Sequence, residues 1–222
     1  MPYSGCRYCF FIQLSAGGPD VLMGRHFSCL PTAMPLFEPV TLTTARLNLR
    51  PLQEDDAHAL FAIWSDAEAM RYFSFPPMTS LDQATERVAR KLSTAAGGED
   101  LTCAIELRAT GEVLGECALF NVHESCRRAE IGFSLKRTHW GRGYTSEAAA
   151  ALVGHAFGTL DLRRIEADID PRNAASARVL ERLGFVREGL LRERWMVGDE
   201  VSDSALYGLL KRERRELVAV GC

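Results

Sequence analysis

Two neighbouring stretches of this chain carry opposite hydrophobic rhythms. Small or apolar side chains fall at Thr145, Ala148, Ala149, Leu152, Val153, Ala156 and Phe157. That is the i, i+3, i+4, i+7 spacing of an amphipathic helix, and Gly158 supplies a stop. Just upstream, Ala129, Ile131, Phe133 and Leu135 alternate with Glu130, Gly132 and Ser134. The alternation predicts a strand with one apolar face, and with a second face where two small residues leave room beside a carboxylate. Further on, Ile165, Ala167 and Ile169 alternate as a buried strand that Pro171 breaks. Asn173 is placed to cap a following helix, Gly184 suits its left-handed C-terminal position, and Phe185 starts another strand.

Toward the N-terminus, Leu42 to Arg50 reads as a first strand. Asp55 and Asp56 open a helix whose apolar face is Ala57, Leu60, Phe61 and Trp64. A helix of mixed charge runs from about Leu81 to Thr94 and is broken by Gly97-Gly98. Leu101 to Arg108 and Glu112 to Asn121 form a hairpin across Ala109-Thr110-Gly111, and Ser204 to Leu210 is the final strand. The elements add up to one α/β domain.

Between the alternating strand and the amphipathic helix lies Gly141-Arg142-Gly143-Tyr144-Thr145-Ser146. A glycine-rich turn into a helix leaves backbone N–H groups unpaired at the positive end of the helix dipole, a seat for phosphate or pyrophosphate. A Walker loop would need a lysine where Tyr144 stands, and a dinucleotide fingerprint would need a third glycine at Ser146. Glycines serving tight geometry alone are the plain alternative. An anion cradle beside the carboxylate of Glu130 suggests group transfer from a phosphate-bearing donor.

The segment Trp140-Gly141-Arg142-Gly143-Tyr144-Thr145 resembles the acyl-CoA loop of the GNAT superfamily of N-acetyltransferases. That loop reads Gln or Arg, two residues, Gly, one residue, then Gly or Ala. Trp140 holds the first position, as in the branch similar to the RimJ and RimL ribosomal-protein acetyltransferases. Gly143 matches, and Thr145 departs from Gly or Ala. A second segment, Asp170-Pro171-Arg172-Asn173 through Leu180-Glu181-Arg182-Leu183-Gly184-Phe185, resembles the part of this branch that contacts the pantetheine arm. The Arg-Leu-Xaa-Leu-Arg-Pro start at Arg46 to Pro51 resembles the opening of the GNAT domain too. The resemblance covers about residues 41–211. It implies the GNAT (acyl-CoA N-acyltransferase) fold: a mixed, mostly antiparallel, twisted sheet flanked by helices and splayed where the cofactor enters.

Carried onto this sequence, the resemblance assigns acetyl-CoA contacts to Phe133, Leu135, Arg137, Gly141, Arg142, Gly143, Tyr144, Thr145 and Asn173. A strand N–H near Phe133 or Leu135 would hold the oxyanion. Ser176 matches the proposed donor of a proton to the departing thiolate. Leu180 stands where many relatives carry a tyrosine. Asn173 as a plain cap and Ser176 as a small packing residue are the structural alternatives. An amine attacks a thioester only as the free base, so a carboxylate that takes its proton is expected. Glu130 occupies the strand position of that base in some relatives. Glu193, in Arg192-Glu193-Arg194-Trp195, is a second candidate, although the family glutamate aligns with Trp195. The transfer needs no metal. The acceptor is a primary amine, either a protein N-terminal α-amine or a small molecule. A non-catalytic module that senses acyl-CoA is the other functional reading. The aromatic segment Tyr72-Phe73-Ser74-Phe75-Pro76-Pro77-Met78 is expected either to line the acceptor site or to be a packed turn.

The 222 residues are 47% apolar and 25% charged, enough for one sizeable core. The net charge of −3 argues against strong nonspecific binding to nucleic acid. No stretch approaches the roughly 20 apolar residues of a membrane span. Residues 1–33, rich in Gly, Pro and Cys, are expected to be a disordered extension, and residues 212–222 a solvated tail. Cys6, Cys9, His26 and Cys29 are a weak zinc-like set. Cys103 and Cys117 sit in strands and read as reduced thiols, which fits a cytoplasmic protein. Monomer and homodimer both stay open.

Overall fold

The computed structural model describes residues 37–214. The N-terminal extension with its Cys and His residues, and the end of the tail, lie outside the described residues. Thirteen regular elements alternate along the rest: β1 (Leu42–Thr43), β2 (Leu47–Pro51), α1 (Ala57–Trp64), α2 (Ala67–Met70), α3 (Leu81–Ala96), β3 (Leu101–Leu107), β4 (Val113–His123), β5 (Arg128–Leu135), α4 (Tyr144–Gly158), β6 (Arg164–Ile169), α5 (Ala174–Arg182), β7 (Val186–Val197) and β8 (Glu200–Leu210). The strands form one mixed sheet in the order β1-β2-β3-β4-β5-β6-β8-β7. Every pairing is antiparallel except β5 with β6. This is the mixed α/β sheet expected from the sequence.

The alternation along β3, β4 and β5 sorts side chains to two cores. On one face, Cys103, Ile105, Cys117, Leu119, Ala129 and Ile131 meet Ala148, Ala149, Leu152, Val153, Ala156 and Phe157 of α4. Each fully buried Leu or Phe there contributes about 1.5–3 kcal/mol relative to exposure. On the other face, Ala104 meets Leu60, Ile63 and Trp64 of α1 and Ala84 and Val88 of α3. Gly115 lets β4 approach β5 closely, because a Cβ there would stand 2.0 Å from the Ser134 carbonyl oxygen.

Three expectations need correction. The first strand is not continuous: the chain turns at Thr44 to Arg46, and β1 folds back on β2. Thr44 causes the break, since its Oγ1 accepts the Leu47 N–H at 2.9 Å, a local bond that competes with the ladder. On α1, Ile63 is buried and Phe61 only half-buried, so the apolar face is rotated slightly. β7 is far longer than the sequence suggests. It is the sheet edge, nearly all of its side chains are exposed, and so its sequence carries no alternation to read.

The feature that organises the molecule is a gap. The β5–β6 ladder pairs Arg128 with Arg164, Ala129 with Ile165 and Glu130 with Glu166, and then stops. β5 continues beside β4 to Leu135, while β6 continues beside β8 to Ile169. The sheet therefore opens into a wedge beyond Glu130.

Candidate active site

One mouth of the wedge is the glycine turn before α4. Gly141 and Gly143 both take left-handed backbone, with φ of 74° and 79°. Such alternation turns successive N–H groups to one side and makes an anion nest. Gly143 is the helix N-cap and offers no side chain to satisfy them. The first bond of the helix is Glu147 N–H to Gly143 O, at 3.1 Å. The N–H groups of Tyr144, Thr145 and Ser146 precede it and lack a partner within the helix. The loop is held from outside by Arg46. Its Nε pairs with Glu147 at 2.7 Å, its Nη1 donates to the Arg142 carbonyl at 3.0 Å, and its guanidinium lies 4.5 Å from the Tyr144 ring centroid. Thr44 Oγ1 donates to the same Glu147 at 2.6 Å. Burial alone would raise the Glu147 carboxyl, but Thr44 and Arg46 together hold it below the usual carboxylate range. Sequence reasoning missed Arg46 and Glu147 as organisers of this loop. The signal was present in the Arg-Leu-Xaa-Leu-Arg-Pro segment, whose first arginine reaches the loop. Its second, Arg50, ties Asp56 (2.8 Å) to Glu106 (2.7 Å).

Along β5, the Lys136 N–H donates to Leu114 O on the β4 side. Because N–H directions alternate along a strand, those of Phe133 and Leu135 point to the opposite edge, into the wedge. The Trp140 indole N–H donates to the Leu135 carbonyl on that edge, at 2.8 Å. This bond pins the turn between β5 and α4. Arg137, in the same turn, is exposed and pairs with Asp66 at 2.8 Å.

The opposite mouth is a cavity of about 900 Å³. It gathers Glu130, Phe133, Asn173 and Ser176 from the sequence-selected residues. Asn173 caps α5, its Oδ1 accepting the Ser176 N–H at 3.0 Å, which presents Ser176 on the first turn of the helix. Leu180, fully buried, lies behind it. The aromatic segment lines the cavity through Tyr72, Phe73 and Phe75, with Phe73 and Phe75 packed edge to face at 5.7 Å. Glu193 is elsewhere. It sits exposed on a bulge of β7 with φ of 51°, and its N–H donates to Asp203 at 2.9 Å. Its neighbours Arg194 and Trp195 line the cavity instead.

Burial pushes the Glu130 carboxyl above its ordinary range. The charges of Asp168 and Glu166 push the same way, while the neighbouring Asn121 amide and Arg128 oppose the shift. Asp168 is an acid that the sequence reading did not single out. It faces the cavity from β6 and accepts hydrogen bonds from Ser204, from Arg194 Nε at 3.2 Å and from Trp195 Nε1 at 3.4 Å. Its role could not be read from the sequence, because its partners come from β7 and β8. Cys103 and Cys117 are register neighbours and fully buried. Burial pushes the Cys103 thiol up to about 12 and raises Cys117 further from reactivity. No group of three potential metal ligands occurs among the described residues, and no helix there is long and apolar enough to cross a membrane.

Known proteins share this arrangement. The profile of the acetyltransferase (GNAT) domain matches residues 46–186. An uncharacterized N-acetyltransferase of Bacillus licheniformis, p20, is 38% identical over 173 residues, spanning 78% of this chain and 97% of that protein. The ribosomal-protein-serine acetyltransferase of Escherichia coli is 32% identical over 96 residues, 43% of this chain and 54% of its own. Mycobacterium smegmatis RimJ, solved in complex with CoA-disulfide, superposes with a TM-score of 0.71 at 27% identity, covering 79% of this chain and 89% of that one. A chain with this sheet, this wedge and these relatives belongs to the GNAT acetyltransferase family.

Proposed function

We propose that this acetyltransferase moves an acetyl group from acetyl-CoA directly to a primary amine inside the wedge, with Glu130 as the base and Ser176 as the acid. The observation that carries the reading is the opening of the sheet after Glu130, with an anion nest at one mouth and a carboxylate-bearing cavity at the other. The nest fits the donor's pyrophosphate: its glycines have left-handed φ, and its N–H groups precede the first helical bond. Acetyl-CoA supplies the activated acyl group as a thioester. Asn173 is positioned for the pantetheine arm. The N–H of Phe133 or Leu135 is positioned to receive the charge that develops on the carbonyl oxygen.

Glu130 takes the proton of the acceptor ammonium, directly or through a water. Its raised pKa moves it toward neutral pH, where a base is most effective. As the new C–N bond forms and the C–S bond breaks, the nitrogen gives up its second proton to water, and Ser176 Oγ–H gives a proton to the departing sulfur and recovers one from solvent. Tyr72, Phe73 and Phe75 enclose the acceptor and exclude water. A protein N-terminus and a small-molecule amine both fit a cavity of this kind. The test is thiol release from acetyl-CoA across a panel of amines. Amine-dependent release supports transfer. Tight CoA binding with no release for any amine would replace it with the sensor reading.

A further inference from the structure

The wall of the cavity formed by α3 takes no part in the transfer described above. Arg87, Arg90 and Lys91 face the cavity from α3, and Glu116 and Asp100 are the acids on that side. Glu116, on β4, is only 7% exposed. Lys91 Nζ lies 3.2 Å from its Oε2, yet that oxygen accepts no hydrogen bond from any described residue. The contact is ionic, and a buried lone pair is left open to a donor. Arg87 is stacked 4.0 Å from the Phe75 ring centroid and 5.4 Å from that of Trp64. Its Nε is buried and likewise unpartnered. Burial lowers its pKa, the nearby charge of Glu116 supports the cation, and Arg90 opposes it. The buried Nε therefore lacks a hydrogen-bonded counter-ion, and the aromatic rings stacked on the guanidinium do not supply one. An arginine kept in that state beside a cavity is suited to a ligand that brings its own anion.

The opposite end of the cavity mixes acids with Arg194, which pairs with Asp168. Glu130 and Asp168 face it there, and Glu166 adds to their field. The register of β4 and β5 sets the distance between the ends. Phe120 pairs with Glu130, Ala118 with Gly132 and Glu116 with Ser134. At about 3.3 Å per residue, the Glu116 row lies roughly 13 Å along the strand from the Glu130 row.

We propose that the α3 wall is an anion subsite of the acceptor, and that the enzyme prefers amines that also carry a carboxylate, read by Arg87. The proposal rests on the transfer reading above. Arg87 donates to the carboxylate and Phe75 holds the guanidinium flat. A free acidic amino acid and a peptide with an acidic residue next to its N-terminus both present this chemistry.

The test compares matched acceptors. Thiol release is measured as kcat/KM for glutamate against glutamine, and for the C-terminally amidated tripeptides Ser-Glu-Gly against Ser-Gln-Gly. The wild type is expected to favour the acidic member by about 10-fold or more in at least one pair, and the pair that responds identifies the source. In Arg87→Gln the ratio should fall toward one, while Arg87→Lys, which keeps the charge, should retain part of it. A melting curve for each variant separates lost packing on Trp64 from lost recognition. A wild-type ratio near one in both pairs, or a ratio unchanged in Arg87→Gln, overturns the proposal. If no amine is acetylated, the transfer reading fails, and calorimetry then decides the subsite by itself. Acidic ligands that bind wild type and not Arg87→Gln sustain it; acidic ligands that bind neither protein overturn it.

Discussion

Replacing Glu130 with Gln removes one proton acceptor and almost nothing else. The side chain keeps its size and its place opposite Phe120 and Glu166 in the ladder. Burial already disfavours the charged form, so the neutral amide relieves a desolvation cost, and the variant should melt at or above the wild-type temperature. Activity should move the other way. A positioned general base contributes about 100- to 10,000-fold, or roughly 3–5 kcal/mol of barrier at about 1.36 kcal/mol per tenfold. The pH dependence carries the diagnostic sign. In the wild type, Glu130 must be ionised to act, so kcat should fall as pH drops through its raised pKa. The midpoint should therefore lie above the ordinary glutamate range of about 4.3. Glu130→Gln should lose that limb. Its remaining rate should climb tenfold per pH unit with the fraction of free amine, until the amine itself is deprotonated. The assay is stopped-time thiol release at saturating acceptor over a pH series, with Glu193→Gln as the exposed control. A Glu130→Gln profile parallel to wild type would refute the assignment, and a loss confined to Glu193→Gln would move the role to that residue.

Other consequences follow from the same geometry. Gly143→Asp adds a side chain at φ 79° and a negative charge where pyrophosphate would sit, so acetyl-CoA affinity by calorimetry should fall at least 10-fold while the protein stays folded. An unchanged affinity in a folded variant would remove the nest from the mechanism. Ser176→Ala should lower turnover about 10- to 100-fold with little change in apparent acetyl-CoA affinity, if its hydroxyl protonates the sulfur. Unchanged turnover would leave Ser176 as a packing residue. Asp56→Ala removes one of the two carboxylates that pair with Arg50 and the acceptor for the Gln53 N–H, which should cost about 1–3 kcal/mol in denaturant unfolding. A loss below about 1 kcal/mol would mean that Glu106 alone satisfies Arg50.

The fold was legible wherever one periodicity held over a whole element. The helix at Tyr144–Gly158, the hairpin of β3 and β4, the cap at Asn173 and the left-handed Gly184 could all be read locally, because the residues that define them are neighbours in sequence. The break at Thr44 was not legible. It depends on a threonine hydroxyl choosing the Leu47 N–H and Glu147 over a ladder, and Glu147 is far away in the chain. The start of β7 was read at Phe185, but its length was not legible, because an exposed edge strand needs no apolar face. Within the site, the loop, the strand and the capped helix each carried a local pattern. Asp168, Arg87 and Glu116 did not. A single charged residue on a strand or helix looks like solvated surface until the tertiary fold closes a cavity over it.

Direct transfer to an amine is the central claim, and intact-mass spectrometry tests it most directly. The enzyme is mixed with isotope-labelled acetyl-CoA, first alone and then with an acceptor amine, and both protein and amine are weighed. Cys103 and Cys117, the strand cysteines, are fully buried with their thiols held protonated, and the account expects no acetyl-enzyme on the path and a labelled amide on the acceptor nitrogen. Label that first appears covalently on the protein and is then chased into the amine would contradict it.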